Sequence, residues 1–267
     1  MQKHIPRKRF GQHFLCDTNV IRDIIAALNP QRGDHVVEIG PGLGALTTQL
    51  LPLLEQLEVV ELDRDLISPL KILGEKLGKL IIHQADALRF DFSQLTDKPA
   101  SLRVIGNLPY NITTPLLFHL LATAAVIQDM LFMLQKEVAE RIVAQPGEEA
   151  YGRLSVMVQY FCQTEILFAV GPECFMPPPK VDSAIIRLLP YRELPFVAQD
   201  YLLFEDVVRL AFNQRRKTLR NSLHTRINQQ QLLNLNIDPE LRAERLSVSD
   251  YVKIANGIYH LQLGDTN

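Results

Sequence analysis

Val36-Val37-Glu38-Ile39-Gly40-Pro41-Gly42-Leu43-Gly44 is a short apolar run that ends in three glycines and opens onto Ala45-Leu46-Thr47-Thr48-Gln49-Leu50-Leu51. Across the glycines the apolar period changes from two to near four, which predicts a strand, a tight loop and a helix. Glycine admits positive φ and lets a ligand approach a backbone without a Cβ in the way. Such a turn opens a nucleotide-type α/β sheet, in which ligands bind outside the carboxyl ends of the strands. Glu58-Val59-Val60-Glu61-Leu62 reads as a second buried strand. Glu61 at its end lies about twenty residues beyond the glycines, the spacing at which an acid meets ribose hydroxyls. A ribose-bearing ligand follows, but Gly40, Gly42 and Ala45 also fit the loose dinucleotide pattern G-x-G-x-x-G/A.

Two later stretches narrow the choice. Leu80-Ile81-Ile82-His83-Gln84-Ala85-Asp86 is a third strand ending in an acid, suited to accept a hydrogen bond from an adenine amino group. Leu102-Arg103-Val104-Ile105-Gly106 is a fourth, and it runs into Asn107-Leu108-Pro109-Tyr110. An Asn-x-Pro-aromatic turn has little use in hydride transfer but suits a planar amine. The Asn107 amide oxygen and a backbone carbonyl held by Pro109 can both accept from an exocyclic NH2 while Tyr110 stacks on the ring. Glu38 stands two residues before the first glycine, near enough for a cationic α-amino group of the ligand. Pairing with a nearby backbone amide is an equally open reading of that acid. For Glu61 and Asp86 the plainer reading is a solvated loop acid, which their succession on one sheet disfavours.

The 267 residues suffice for one full domain and a small second one. A hydrophobic content of 47% with 22% charged residues is that of a globular chain. No apolar run approaches membrane-spanning length, and the start, Met1 to Arg9, is basic without the apolar core of a secretion signal. A cytoplasmic protein with no membrane partner is expected. Cys16, Cys162 and Cys174 are odd in number and form no Cys-x-x-Cys pair, which argues against a disulfide framework and a zinc site. No metal is expected.

A net charge of −2 gives no support for nucleic-acid binding, but local clustering does. Lys3, Arg7, Lys8 and Arg9 form a basic arm, which charge alone equally allows as a solvated tail. From about residue 204 a helix is predicted in which Val208, Phe212, Leu219 and Leu223 make an apolar stripe beside Arg209, Arg216 and Arg220. Arg215 and Lys217 add charge, and no acid occurs between Val207 and Arg226, a pattern suited to phosphate contacts. Arg242 and Arg245 near Glu244 read as a solvated mixed face.

Phe175 is followed by Met176 and the triplet Pro177-Pro178-Pro179, with Lys180 beyond. Stiff prolines could hold Phe175 against a base opposite Tyr110, each face contributing about 1 to 3 kcal/mol toward extruding an adenine. A plain core aromatic is the other reading of Phe175.

Over essentially its whole length the sequence resembles the bacterial small-subunit ribosomal RNA adenine dimethyltransferases, relatives of the erythromycin-resistance methyltransferases. Matching residues are Arg9-Phe10-Gly11-Gln12-His13-Phe14-Leu15, Glu38 to Gly44, Glu61-Leu62-Asp63, Asp86-Ala87, Gly106 to Tyr110, Phe175 to Ala184, and Ala211 to Arg220. The resemblance implies an α/β, Rossmann-like S-adenosylmethionine-dependent methyltransferase (1–190, with the basic arm) and a small all-helical C-terminal RNA-binding domain (191–267). It implies double N6 methylation of two adjacent adenosines in the 3'-terminal hairpin loop of 16S rRNA, in the small ribosomal subunit or its precursor, by a monomer.

Under that resemblance His13 and Leu15 contact the cofactor, although many members carry Asn where His13 stands. Glu38, Gly40, Gly42, Glu61, Asp86 and Asn107 complete the cofactor set, and Asn107, Leu108, Pro109, Tyr110 and Phe175 the catalytic one. RNA contacts fall to Arg7, Lys8, Arg9, Lys180, Arg209, Arg215, Arg216, Lys217 and Arg220. Rival readings are a 23S rRNA adenine methyltransferase of the macrolide-resistance type and a non-catalytic ribosome-assembly factor on the same fold. Intact Glu61, Asp86 and Asn107 to Tyr110 weigh against the second. An NAD oxidoreductase is the outsider, since no hydride-transfer acid or base is evident.

Overall fold

The computed structural model describes residues 13–214 and 216–264. After a two-residue strand β1 (Phe14–Leu15), the Asp17 carboxylate accepts from the N–H groups of Asn19 and Val20 and starts α1 (Thr18–Leu28). Ile21, Ile24 and Leu28 are its buried positions, and Asn29 ends it in the left-handed region at φ 49°. Then come β2 (His35–Ile39), α2 (Thr47–Leu50), β3 (Gln56–Glu61), α3 (Arg64–Leu77) capped by Asp63, and β4 (Lys79–Gln84). Next are β5 (Leu102–Asn107), α4 (Thr113–Leu121), β6 (Ile127–Gln135), α5 (Lys136–Val143) and α6 (Arg153–Phe161). β7 (Cys162–Val170), the two-residue β8 (Phe175–Met176) and β9 (Ser183–Pro190) complete the strands. The chain ends in α7 (Tyr201–Asn213), α8 (Leu219–Ser222), α9 (Gln229–Asn234) and α10 (Val248–Gly264).

Seven strands form one sheet in the order β4-β3-β2-β5-β6-β9-β7. β4, β3, β2, β5 and β6 run parallel, and β9 lies antiparallel to β6. Val36, Val37, Val59, Val104, Ile105 and Met130 are buried along it, the near-continuous apolar run of a sheet covered on both faces. Strand order reverses where β2 meets β5, and a crevice opens outside the carboxyl ends at such a point. Ile39 and Gly106 are register partners there. A Cβ on residue 106 would stand 2.6 Å from the Ile39 carbonyl oxygen, so the two strands reach this pairing only with glycine. At the far ends Arg103 donates to Asp129, Asp34 and the Leu28 carbonyl, joining β5 to β6, α1 and the loop before β2.

By internal contacts the chain forms two compact units. One holds residues up to Ala139 with Gln163–Arg192, the other Glu140–Cys162 with the residues from Glu193 on. The sequence boundary at 190/191 therefore omits one segment, since 140–162 packs with the C-terminal helices. Tyr151 donates its hydroxyl hydrogen to the Leu246 carbonyl, Arg153 pairs with Glu205 at 2.8 Å, and the Tyr160 and Phe204 rings lie 4.5 Å apart. Among the described residues no helix is long and apolar enough to cross a membrane.

The single helix predicted from about 204 through Leu223 is two helices. α7 stops at Asn213 and α8 begins at Leu219. Between them Lys217 N–H turns back to the Gln214 carbonyl, Thr218 bridges to Arg242, and Leu219 N–H donates to the Leu241 carbonyl. A distant partner thus pulls the chain out of helical geometry. Arg209 pairs with Asp206, as does Arg226, and Arg220 pairs with Glu240 at 2.9 Å. The expected acid-free helical face is therefore partly neutralised by acids outside the window that appeared free of them, Asp206 next to it and Glu240 farther along the chain. Arg216 and Lys217 are exposed on the intervening turn with no acid partner among the described residues. Arg7, Lys8, Arg9 and Arg215 lie outside the described residues.

Candidate active site

A cavity of about 770 Å³ lies at the carboxyl ends of β2, β3, β4 and β5, and Phe14 and Leu15 of β1 help to line it. The cofactor positions expected from the sequence, His13, Leu15, Glu38, Gly40, Gly42, Glu61, Asp86 and Asn107, all line it, as do Leu108, Pro109 and Tyr110. Gly40 and Gly42 take φ values of 65° and 58°, which side chains disfavour. In that conformation Gly40 N–H reaches the Val60 carbonyl at 2.9 Å and Gly42 N–H the Glu61 carboxylate at 3.2 Å. Glu61 accepts from Asp63 N–H through its other oxygen at 2.7 Å. One acid at the tip of β3 thus fixes both the glycine loop and the start of α3. Each of its oxygens has a second lone pair available to a hydroxyl donor. Burial raises the Glu61 pKa, against the lowering effect of those amides.

Glu38 is only 2% exposed and accepts from the Thr47 hydroxyl at 2.6 Å. Burial pushes its carboxyl up to about 7, with the Thr47 bond opposing and the nearby Glu61 adding to the rise. No cation pairs with Glu38 among the described residues. A buried carboxyl on the wall of an open cavity without a counter-charge fits a ligand bearing an ammonium group. Asp86 accepts from Leu88 N–H through one oxygen, leaving the other for a donor.

At the tip of β5, Leu108 N–H donates to the Met133 carbonyl, and the Pro109 carbonyl accepts from Ile112 N–H and the Thr113 hydroxyl. Asn107 Nδ2 donates to the His13 carbonyl at 2.9 Å, which fixes the side-chain amide. Asn107 Oδ1 and the Leu108 carbonyl remain as acceptors with no donor among the described residues. The Tyr110 hydroxyl lies 2.8 Å from Ser183 Oγ, and burial raises that phenol's pKa while the Ser183 bond opposes. The His13 ring stacks on Tyr110 with centroids 5.8 Å apart at 25°, and His13 Nδ1 donates to the Pro177 carbonyl at 2.8 Å.

Phe175, expected as the second aromatic face, is not among the residues that line the cavity. It is 3% exposed and packs in the core with Leu15, Ile21 and Ile24. β8 pairs with β1 antiparallel, Phe175 opposite Leu15 and Met176 opposite Phe14. Successive side chains of a strand point to opposite faces, so burying Phe175 turns the 70%-exposed Met176 into the cavity. Phe175→Ala is expected to cost about 3 to 5 kcal/mol in urea unfolding, and Phe175→Leu well under half of that with methyl transfer retained. Activity abolished in a Phe175→Leu protein of near-normal stability would return Phe175 to the substrate. Lys180 is exposed and does not line the cavity.

Sequence reading missed Thr47, Ser183 and Met176. Thr47 and Ser183 are fully buried hydroxyl residues; Thr47 reaches Glu38 back across the glycine loop and Ser183 reaches the distant Tyr110, and neither contact leaves a residue pattern of its own. Met176 is marked only by alternation from Phe175.

Residues 3–259 match the family described as ribosomal RNA adenine dimethylase. A ribosomal RNA small subunit methyltransferase A of Marinomonas sp. is 55% identical over 96% of this chain and 96% of its own length. The protein of that description from Pseudomonas aeruginosa is 53% identical over 98% and 97%. Among solved structures, a dimethyladenosine transferase of Plasmodium falciparum superposes with a TM-score of 0.79 at 29% identity, covering 91% of this chain and 96% of that one. The 23S rRNA methyltransferase ErmE gives 0.72 at 25% identity, covering 92% and 99%. A full-length family match, identity above half to enzymes of one description and a shared fold agree with the cavity at the strand tips: this chain belongs to the ribosomal RNA adenine dimethylase family.

Proposed function

We propose that the protein uses S-adenosylmethionine to dimethylate N6 of two adjacent adenosines in the 3'-terminal hairpin loop of 16S rRNA, within the small ribosomal subunit or its precursor. The observation that carries this reading is the β5 tip. Two acceptors without donors among the described residues, Asn107 Oδ1 and the Leu108 carbonyl, lie at the same cavity as the acids Glu38, Glu61 and Asp86. The names of the relatives favour the small subunit over the large: those more than half identical are small-subunit enzymes, whereas the 23S rRNA methyltransferase is 25% identical. Every cofactor and base position in the reading comes from one chain, so the site needs no second copy, and action as a monomer in the cytoplasm is part of the same proposal.

In this reading Glu61 accepts from ribose hydroxyls, Asp86 from the cofactor's adenine amino group, and Glu38 faces its α-amino group. When bound, S-adenosylmethionine supplies a methyl group already activated by a sulfonium, so the transfer itself needs no metal. The protein's task is placement and charge stabilisation. An aromatic N6 is a weak nucleophile because its lone pair is spread into the ring. Accepting both of its hydrogens at Asn107 Oδ1 and the Leu108 carbonyl favours a pyramidal nitrogen and stabilises positive charge as it grows. Tyr110 supports the ring by stacking. After one methyl is in place and the nitrogen has released one proton to solvent, a single N–H remains, and either acceptor can hold it. The exposed cations Lys180, Arg216 and Lys217 contact phosphate, with Arg209 and Arg220 adding the charge their acid partners leave them.

Incubating unmethylated small subunits with methyl-labelled S-adenosylmethionine and mapping the product tests this directly. Label is expected as N6,N6-dimethyladenosine at two neighbouring positions of the 3'-terminal hairpin. Label confined to 23S rRNA in parallel reactions with large subunits would move the substrate to the other subunit. Cofactor binding without label in either would make the protein an assembly factor.

A further inference from the structure

The first three residues of the turn after β5 are tied close to their own backbone. Asn107 Nδ2 donates to the His13 carbonyl, Leu108 N–H to the Met133 carbonyl, and the Pro109 carbonyl accepts from Ile112 N–H. Tyr110, the fourth, is tied at the far end of its side chain, where its hydroxyl oxygen lies 2.8 Å from Ser183 Oγ. We propose that Ser183 is a positioning residue for methyl transfer, holding the Tyr110 ring at a set place relative to the two N6 acceptors, Asn107 Oδ1 and the Leu108 carbonyl. The proposal rests on the reading that Tyr110 stacks on the target adenine.

Three observations carry it. First, Ser183 is fully buried, and among the described residues the partner of its hydroxyl is the Tyr110 hydroxyl. A buried hydroxyl left without a partner costs stability, so the folded chain favours the bonded position of the ring. Second, Ser183 stands on well-braced backbone. It is the first residue of β9 and lies opposite Gln135 at the end of β6, and the Asp182 carbonyl before it accepts from Lys136 N–H at 2.9 Å. Third, the same strand end places an acceptor, because Leu108 N–H is bonded to the carbonyl of Met133, two residues before Gln135. The tip of β6 therefore sets both the carbonyl that receives N6 and the anchor of the ring that supports the base.

The shape of a phenol gives this anchor a particular effect. Its oxygen lies on the axis through Cβ and Cγ, so a bond to it opposes swinging of the ring about Cα–Cβ. Turning of the ring about its own axis stays free. The ring is thus fixed in place yet able to lie parallel to an incoming base. Methyl transfer requires the nitrogen to approach the methyl carbon in line, which makes placement decisive for the rate. A ring freed from Ser183 still offers a face for stacking, but it supports the base over a wider range of poses. Loss of the anchor is therefore expected in kcat more than in KM.

The test uses the full chain, unmethylated small subunits and methyl-labelled S-adenosylmethionine, and compares wild type with Ser183→Ala, Tyr110→Phe, the double variant and Tyr110→Ala. Ser183→Ala and Tyr110→Phe are each expected to lower kcat about tenfold with KM for subunits and cofactor Kd within about twofold. The double variant should be no slower than either single one, because both remove the same bond. Thermal midpoints provide a second coupling: Tyr110→Phe strands a buried hydroxyl and lowers the midpoint, and adding Ser183→Ala recovers part of that loss. Wild-type kcat in Ser183→Ala would overturn the proposal. So would losses that multiply in the double variant, or a cofactor Kd that rises in step with the fall in kcat. The stacking reading is tested apart by Tyr110→Ala, expected to be slower than Tyr110→Phe by about a further tenfold. Equal rates in those two would sink that reading, and the proposal with it, whatever Ser183 does.

Discussion

Asn107→Ala is expected to slow methyl transfer by about 10²- to 10³-fold while leaving the cofactor Kd within a few-fold. Asn107 Oδ1 faces the cavity with no donor of its own among the described residues, so its removal deletes an acceptor that strengthens as N6 becomes cationic. Interactions that strengthen in the transition state appear in kcat rather than in ground-state affinity. The lost Nδ2 bond to the His13 carbonyl adds freedom to β1, but Leu15 stays buried against Phe175 and keeps the strand in place. Single-turnover rates with saturating RNA, set beside calorimetric cofactor titrations, separate the terms. Parallel losses in rate and cofactor affinity would make Asn107 a cofactor residue.

Glu38→Gln should make the cofactor-free protein more stable at pH 8 by about 3 kcal/mol, a rise of about 5 to 10 °C in thermal midpoint for a chain of this size. The folded-state carboxyl titrates at about 7 against an ordinary 4.5. Between those values the unfolded chain has released this proton and the folded chain still holds it. Raising the pH therefore favours unfolding progressively from about 4.5 to about 7, and the cost is constant above that. Glutamine retains an oxygen for the Thr47 hydroxyl and removes the charge, so the gain is expected at pH 8 and absent near pH 4. The same change should weaken cofactor binding and remove its pH dependence, since wild-type affinity rises through pH 7 as the carboxylate forms. Thermal unfolding of both proteins from pH 4 to 8 decides the matter. A variant less stable than wild type at pH 8 would mean that Glu38 is already charge-compensated in the empty site.

The central sheet was legible in the sequence because strands covered on both faces must be apolar throughout, and its tips because glycines and terminal acids interrupt those runs. Asp17 and Asp63 cap α1 and α3, residue types that mark a helix start before an apolar run. What escaped depends on partners far along the chain. β1 and β8 are two residues each, too short for a period, so nothing local said which of Phe175 and Met176 turns inward. Leu219 and Leu223 continue the spacing of the α7 stripe, and only the Thr218 bridge to Arg242 reveals the break. Asp206 and Glu240 neutralise arginines that looked free because charge was counted along the sequence rather than in space.

The interleaving of the two compact units constrains how this protein can be divided or inherited. The backbone passes from one unit to the other at 139/140, 162/163 and 192/193. The first crossing falls within α5 and the second within β7, in regular structure rather than in a spacer. A fragment ended near 192 would keep α6 while discarding the helices that bury it. Neither half is a cassette that gene fusion could transplant intact.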